Sequence, residues 1–280
     1  MVVAPAKNRE PCLADASAPE DRRRPFMAAQ AGATLPFDLD AHAALLAEHL
    51  TLVKPDGPGP FPVVLQMHGC GGIQPMQLRY AEAARGAGFA AVVVDSLGPR
   101  GIGRREAQLT VCTGARLRGA ERAVDLLAML SWVKAQPWAT ADNVAAAGWS
   151  HGGWTVMDAL AGASREFAPL DLLDAVKAVV LVYPYAGALS RTRRRGWDGY
   201  RPRVSALLGG RDAVVGWRAP QRALDRLTAD GLDVRTMTLL EATHCFDDEN
   251  ASDPRTHYRP DLEEQARSFY VDCLIGGLAS

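Results

Sequence analysis

Cysteine is scarce in this chain, and an excess of either charge is absent. The 280 residues include five cysteines, at positions 12, 70, 112, 245 and 273. That is too few and too scattered for a disulfide framework, and none form the C-x-x-C pairs that would suggest zinc, so no metal site is expected. Cys273 falls on an apolar helical stripe and reads as packing. The scattered spacing favours separate thiols at Cys70 and Cys112 over a bond between them, although both lie near loops that could meet above a sheet. The 31 basic and 32 acidic residues nearly cancel. Such a balance gives no electrostatic reason for nucleic acid or an anionic membrane as partner.

Long apolar runs are missing too. No stretch of about twenty uninterrupted apolar residues exists, which excludes a membrane-spanning helix of that kind. Residues 1–25 intersperse Lys7, Arg9, Glu10, Asp15, Glu20, Asp21 and Arg22–Arg24 among prolines and alanines. They lack the hydrophobic segment of a signal peptide, so a cytoplasmic protein is expected. Residues 1 to about 35 read as a disordered tail, with Met27 a candidate start. Apolar residues make up 48% and charged residues 22%, ordinary for globular chains. Residues 36–280 are expected to form one α/β domain, as monomer or homodimer, with no internal repeat.

What is present is an alternation of short apolar runs and helical patterns. Leu45–Val53 partly alternates and ends at the turn cluster Pro55–Pro60, which predicts an edge strand feeding a hairpin. Buried strands are expected at 62–67, 89–95, 143–148, 176–183 and 203–208, and an alternating one at 234–240. Helices fit about 75–85, 116–134, 218–230 and 260–276, the last burying Leu262, Ala266, Phe269 and Cys273. Strands that alternate with helices imply a mostly parallel sheet with helices on both faces.

Gly148-Trp149-Ser150-His151-Gly152-Gly153 stands between one of those strands and a segment able to continue as a helix. A sharp strand-to-helix reversal strains the backbone at the serine and lifts its hydroxyl clear of the sheet. The first N–H groups of the helix are then aimed at any charge that develops on a group bonded to Ser150. A bare G-x-S-x-G also arises by chance, so a base and an acid are needed. Asp212 follows one strand and His244 follows the next, which with Ser150 makes the order Ser, Asp, His along a single sheet edge. Each has a plainer reading: Asp after Gly-Gly commonly caps a helix or turn, and a loop histidine is commonly just hydrogen-bonded.

Of the other histidines, His151 offers its backbone N–H rather than its ring, and His68 stabilises its own glycine-rich loop. His42 and His49 precede the sheet, and His257 lies in a polar stretch. The backbone N–H groups of Cys70 and His151 are the expected oxyanion donors. Trp149, Tyr183, Tyr185 and Phe246 could wall a pocket or serve only as core. Arg100 could bind a substrate carboxylate or brace its own loop, and the run Arg191–Arg195 reads as solvated surface.

His68-Gly69-Cys70-Gly71-Gly72, the loop from Asp95 to Gly101, the Gly148–Gly153 elbow, Gly209-Gly210-Arg211-Asp212 and Thr243-His244 together resemble dienelactone hydrolase and its relatives among the α/β-hydrolases. The resemblance spans roughly residues 45–276. It implies an α/β-hydrolase fold and hydrolysis of a small-molecule carboxylic ester or lactone with no cofactor. Dienelactone hydrolase itself uses a cysteine nucleophile and an acidic side chain in the loop that here reads His68-Gly69-Cys70. Ser150 and Gly69 depart from that pattern and point to a serine esterase of the wider family. A peptidase or thioesterase on the same fold, or a catalytically silent binding protein, are the competing readings.

Overall fold

A computed structural model of the protein describes residues 38–163, 170–197 and 199–278. The tail expected over residues 1 to about 35 lies outside them. In place of the expected edge strand, the chain first forms helix α1 (Leu39–Ala47), because Asp38 caps it: its carboxylate accepts from the N–H groups of Asp40 and Ala41. Only β1 (Thr51–Val53) remains of that strand. It pairs antiparallel with β3 (Ala90–Val94), Thr51 facing Val93, and forms no hairpin with β2 (Phe61–Met67). A hairpin is excluded because β2 is interior, paired on both sides.

The remaining elements follow the expected alternation. Helix α2 (Pro75–Gly86) precedes β3; α3 (Arg104–Thr110) and α4 (Gly119–Lys134) follow it. Helix α3 starts three residues beyond the loop that runs from Asp95 to Gly101. Next come β4 (Ala139–Trp149), α5 (His151–Asp158), β5 (Val176–Val182), the short α6 (Thr192–Arg195) and β6 (Arg203–Gly209). Helix α7 (Arg218–Ala229), β7 (Val234–Leu239) and α8 (Pro260–Leu278) complete the chain.

Among the described residues, seven strands form one sheet in the order β1-β3-β2-β4-β5-β6-β7, all parallel except β1. Alternate residues of the central strands enter opposite cores. Val63, Leu65 and Met67 of β2 pack with α1, α4 and α5, whereas Val64 packs with α2 and α8. Burial on both faces explains why these strands read as continuous apolar runs. From β2 the chain moves one way to β3 and then crosses back to β4, so the loops after β2 and β4 diverge at a switch point. Open α/β sheets hold their ligands in that crevice. Among the described residues, no helix is long and apolar enough to cross a membrane.

Candidate active site

Ser150 sits where β4 turns into α5, with φ 49° and ψ −109°, a backbone conformation that non-glycine residues seldom adopt. The turn is held on three sides. The Ser150 N–H donates to the Val182 carbonyl at 2.9 Å, and the Ser150 carbonyl accepts from Trp154 and Tyr185, each at 3.1 Å. Close packing requires glycine at two positions here. A Cβ on Gly148 would lie 2.5 Å from the Gly152 backbone, and one on Gly152 would collide with the Met67 carbonyl. The strain at Ser150 is thus imposed by backbone that side chains cannot enter.

The three residues expected to act together are in contact. Oγ of Ser150 is 2.9 Å from Nε2 of His244, and Nδ1 of His244 is 2.7 Å from Oδ2 of Asp212. Residues 150 and 244 are brought together because β4 and the β7–α8 loop end on the same sheet edge. An ionised carboxylate only accepts, so in the neutral imidazole Nδ1 carries the proton and Nε2 is free to accept from the serine hydroxyl. The other carboxylate oxygen of Asp212 accepts from the N–H groups of Val214 and Val215 at 2.9 and 3.0 Å. Asp212 therefore both caps its own turn and contacts the His244 ring.

Burial disfavours the Asp212 charge, but the His244 imidazole and those backbone donors outweigh it and hold the carboxyl below its usual range. Burial likewise works against a charged His244. The neighbouring Cys245 sulfur and the Asp212 carboxylate more than offset that and raise the imidazole. A hydroxyl bonded to an imidazole that a carboxylate orients can give up its proton as it attacks an electrophile.

The loop after β2 faces this constellation. Gly69 and Cys70 line a cavity of about 500 Å³ together with Ser150, His151 and His244. The first N–H groups of α5, beginning at His151, have no acceptor within their own helix, and His151 lines this cavity. Contrary to the expectation of separate thiols, Cys70 and Cys112 are joined by a disulfide, with Cα atoms 5.0 Å apart. The bond ties the Cys70 loop to the segment between α3 and α4. Spacing alone does not announce it, because a separation of 42 positions leaves the approach to the fold.

His68 braces its own loop, Nδ1 donating to the Gly69 carbonyl at 2.6 Å and Nε2 accepting from the Ser96 N–H at 3.1 Å. The His151 ring is turned back to Arg122, 3.4 Å from its guanidinium. Burial, with the Arg122 charge, pushes this imidazole down to about 3, so it stays neutral. Arg122 is fully buried and donates to the His68 carbonyl and to Oγ of Ser96, both at 2.7 Å. It went unnoticed in the sequence because it sits on the amphipathic face of a helix without any motif.

Arg100 does not face the cavity. Its guanidinium makes two bonds to Asp125, at 2.8 and 2.9 Å, and one to the Ser96 carbonyl at 2.7 Å. A group so fully engaged has no fork left for a substrate carboxylate, which corrects that expectation. Asp125 also meets Nε2 of His42 at 2.7 Å, a further link the sequence does not reveal.

Trp149, Tyr183 and Tyr185 line the cavity, whereas Phe246 is buried behind Tyr183 with ring centres 5.7 Å apart. The Tyr183 ring lies edge-on to His244 at 4.8 Å. Its hydroxyl donates to buried Asp247 at 2.6 Å, and the Tyr80 hydroxyl donates to the other oxygen at 3.0 Å. Trp154 and Leu189 also line the cavity without having been singled out in the sequence. Trp154 was detectable as the residue four past Ser150 on the same helix. Among the described residues, no group of three or more His, Cys, Asp or Glu is placed to hold a metal ion.

The model of the dienelactone hydrolase family matches residues 49–274. No curated protein matches the chain. Among solved structures, dienelactone hydrolase from Anabaena variabilis is similar, with 22% identity, a TM-score of 0.58, and coverage of 82% of this chain and 91% of that one. A dienelactone hydrolase-like promiscuous phosphotriesterase from metagenomic libraries has 19% identity and a TM-score of 0.65, over 81% and 98% of the two chains. Thermogutta terrifontis esterase 2, phosphonylated by cyclosarin, has 19% identity and a TM-score of 0.58, over 82% and 90%. At these identities the likeness is one of fold.

Proposed function

This chain belongs to the dienelactone hydrolase family, and we propose that it is a serine hydrolase cleaving carboxylic esters or lactones of small molecules through an acyl-Ser150 intermediate. The observation that carries the reading is the continuous hydrogen-bonded relay from Asp212 through His244 to a conformationally strained Ser150. In the first half-reaction Oγ of Ser150 attacks the carbonyl carbon while Nε2 of His244 takes the hydroxyl proton. The carbonyl oxygen, now an anion, receives hydrogen bonds from the N–H groups of Cys70 and His151. As the intermediate collapses, imidazolium at His244 returns the proton to the departing alkoxide, and the alcohol leaves or, from a lactone, stays tethered. Water then repeats the sequence, His244 serving again as base, and the acid is released from Ser150. Asp212 keeps the proton on Nδ1 throughout, so that Nε2 faces the reacting atoms.

A fluorophosphonate probe together with p-nitrophenyl acetate tests the reading on the wild type and on Ser150→Ala. Labelling and turnover are expected in the wild type, with both lost in the variant. A folded wild-type protein that neither labels nor turns over the ester would move the assignment to a silent binding protein.

A further inference from the structure

The cavity is not symmetric about Ser150. A departing alkoxide must be protonated by Nε2 of His244, so the alcohol half of an ester lies on the His244 side. Val214 and Val215, whose N–H groups hold Asp212, form the wall there. The carbonyl oxygen is directed to the start of α5 and the Cys70 loop. Trp154, one helical turn past Ser150 and packed on the His151 ring at 5.1 Å, lines the same cavity from α5.

This wall of the cavity is aromatic and tightly held. The Trp154 and Tyr185 rings are 4.7 Å apart, and the Tyr185 N–H is bonded to the Ser150 carbonyl, which anchors the pair beside the serine. The indole N–H donates to buried Asp158 at 2.7 Å. The second oxygen of Asp158 accepts from Oγ of Ser190 at 3.0 Å and from the Arg191 N–H at 2.7 Å. One carboxylate thus joins the indole to the segment carrying Leu189, which is 42% exposed and lines the same cavity. Behind the indole, α4 begins with Gly119, where a Cβ would stand 2.5 Å from the ring. The only donor of the indole is therefore directed away from the cavity, leaving ring carbons and the Leu189 side chain for contact.

We propose that the acyl group is a flat aromatic one, that is, that the substrates are esters of aromatic or arylalkanoic acids whose ring packs against Trp154, Tyr185 and Leu189. This rests on the acyl-Ser150 reading above. A ring of the substrate adds edge-on or offset contacts to the two rings already present, which a saturated group of the same size lacks.

The test compares p-nitrophenyl 3-phenylpropanoate with p-nitrophenyl 3-cyclohexylpropanoate, which share leaving group, chain length and carbonyl reactivity. In the wild type kcat/KM should favour the phenyl ester about five- to tenfold, and the ratio should fall toward one in Trp154→Leu. Leu189→Ala, at an exposed position, should lower the preference for the phenyl ester over p-nitrophenyl acetate at least about threefold. A wild-type phenyl-to-cyclohexyl ratio at or below one overturns the proposal without any variant, as does a ratio that Trp154→Leu leaves unchanged. Acetate turnover separates the two levels. If the wild type labels with the fluorophosphonate probe and turns over esters but does not prefer the phenyl ester, only the acyl assignment fails; no labelling and no turnover of either acetate or the phenyl ester removes the hydrolase reading and the acyl assignment with it.

Discussion

Ser150 and His244 are both held away from their ordinary states, one in backbone conformation and the other in proton affinity. A non-glycine φ of 49° persists only because packing of Gly148 and Gly152 against neighbouring backbone over-determines it. His244 works as a base only when neutral, and its imidazole is raised above the ordinary value of 6.5. The rate with p-nitrophenyl acetate should therefore climb with pH along a limb centred above 6.5. In Asp212→Asn the carboxylate that helps raise the imidazole is gone, so that limb should move to lower pH. The plateau should drop by about 10³- to 10⁴-fold, because an amide no longer secures the proton on Nδ1. A pH–rate profile of the two proteins decides the point; a limb that stays in place would mean that Asp212 is not what tunes His244.

At the level of elements, the loop after β2 and the segment between α3 and α4 are separate stretches of chain joined by the Cys70–Cys112 bond. That bond positions one of the two proposed oxyanion donors from outside its own loop. Closing a loop of 42 residues restricts the unfolded chain by about 4 kcal/mol in the entropy picture of cross-links. Cys112→Ser should accordingly lower Tm by several degrees. It should also reduce kcat more than it raises KM, since an oxyanion donor acts mainly in the transition state. Thermal melts and steady-state kinetics with and without a reductant measure both effects, the reductant reproducing the variant in the wild type and leaving Cys112→Ser unchanged.

Over the whole molecule, buried titratable groups of opposite tendency offset one another. His68 and His151 are held neutral, so unfolding takes up protons and stability is lost as pH falls below about 6.5. Asp158 and Asp247 are pushed up to about 6 by burial, so the native state keeps protons that the unfolded chain has shed. Those two carboxyls add stability as pH falls from about 6 toward 4. Below that range Asp212, whose folded affinity for the proton is depressed, loses its stabilising charge. Above neutrality the raised His244 acts in the other direction, its contribution being present below 6.5 and lost as pH rises. Tm should thus change little between about pH 6.5 and 4 and decline on either side. In Asp247→Asn one compensating carboxyl is gone, so its Tm should fall between pH 6 and 4 where the wild type's does not. Parallel curves for the two proteins would show that Asp247 does not titrate in that window.

Local chemistry is what the sequence by itself determined. The apolar runs of β2 and β4, the glycines that admit the Ser150 turn, the family resemblance and the order Ser150, Asp212, His244 all depend on neighbours in the chain or on strand ends. They were legible because periodicity and turn chemistry act over a few residues. Pairing between distant stretches was decided only in the folded molecule. Leu45–Val53 alternates like a strand, yet the Asp38 cap and packing on α4 make its first part a helix, and β1 joins β3 rather than β2. Arg100 could have bound a ligand or braced its loop, and its bonds to Asp125 on α4 and to the Ser96 carbonyl decide for bracing. Cys70 found Cys112, and Trp154 became a cavity wall only when Asp158 and the Leu189 segment closed around it. Apart from the Asp38 cap and the Arg100–Ser96 and Trp154–Asp158 bonds, which are local, these are contacts between groups tens of residues apart. Their energies depend on which surfaces the sheet order brings together, which no single stretch of sequence specifies.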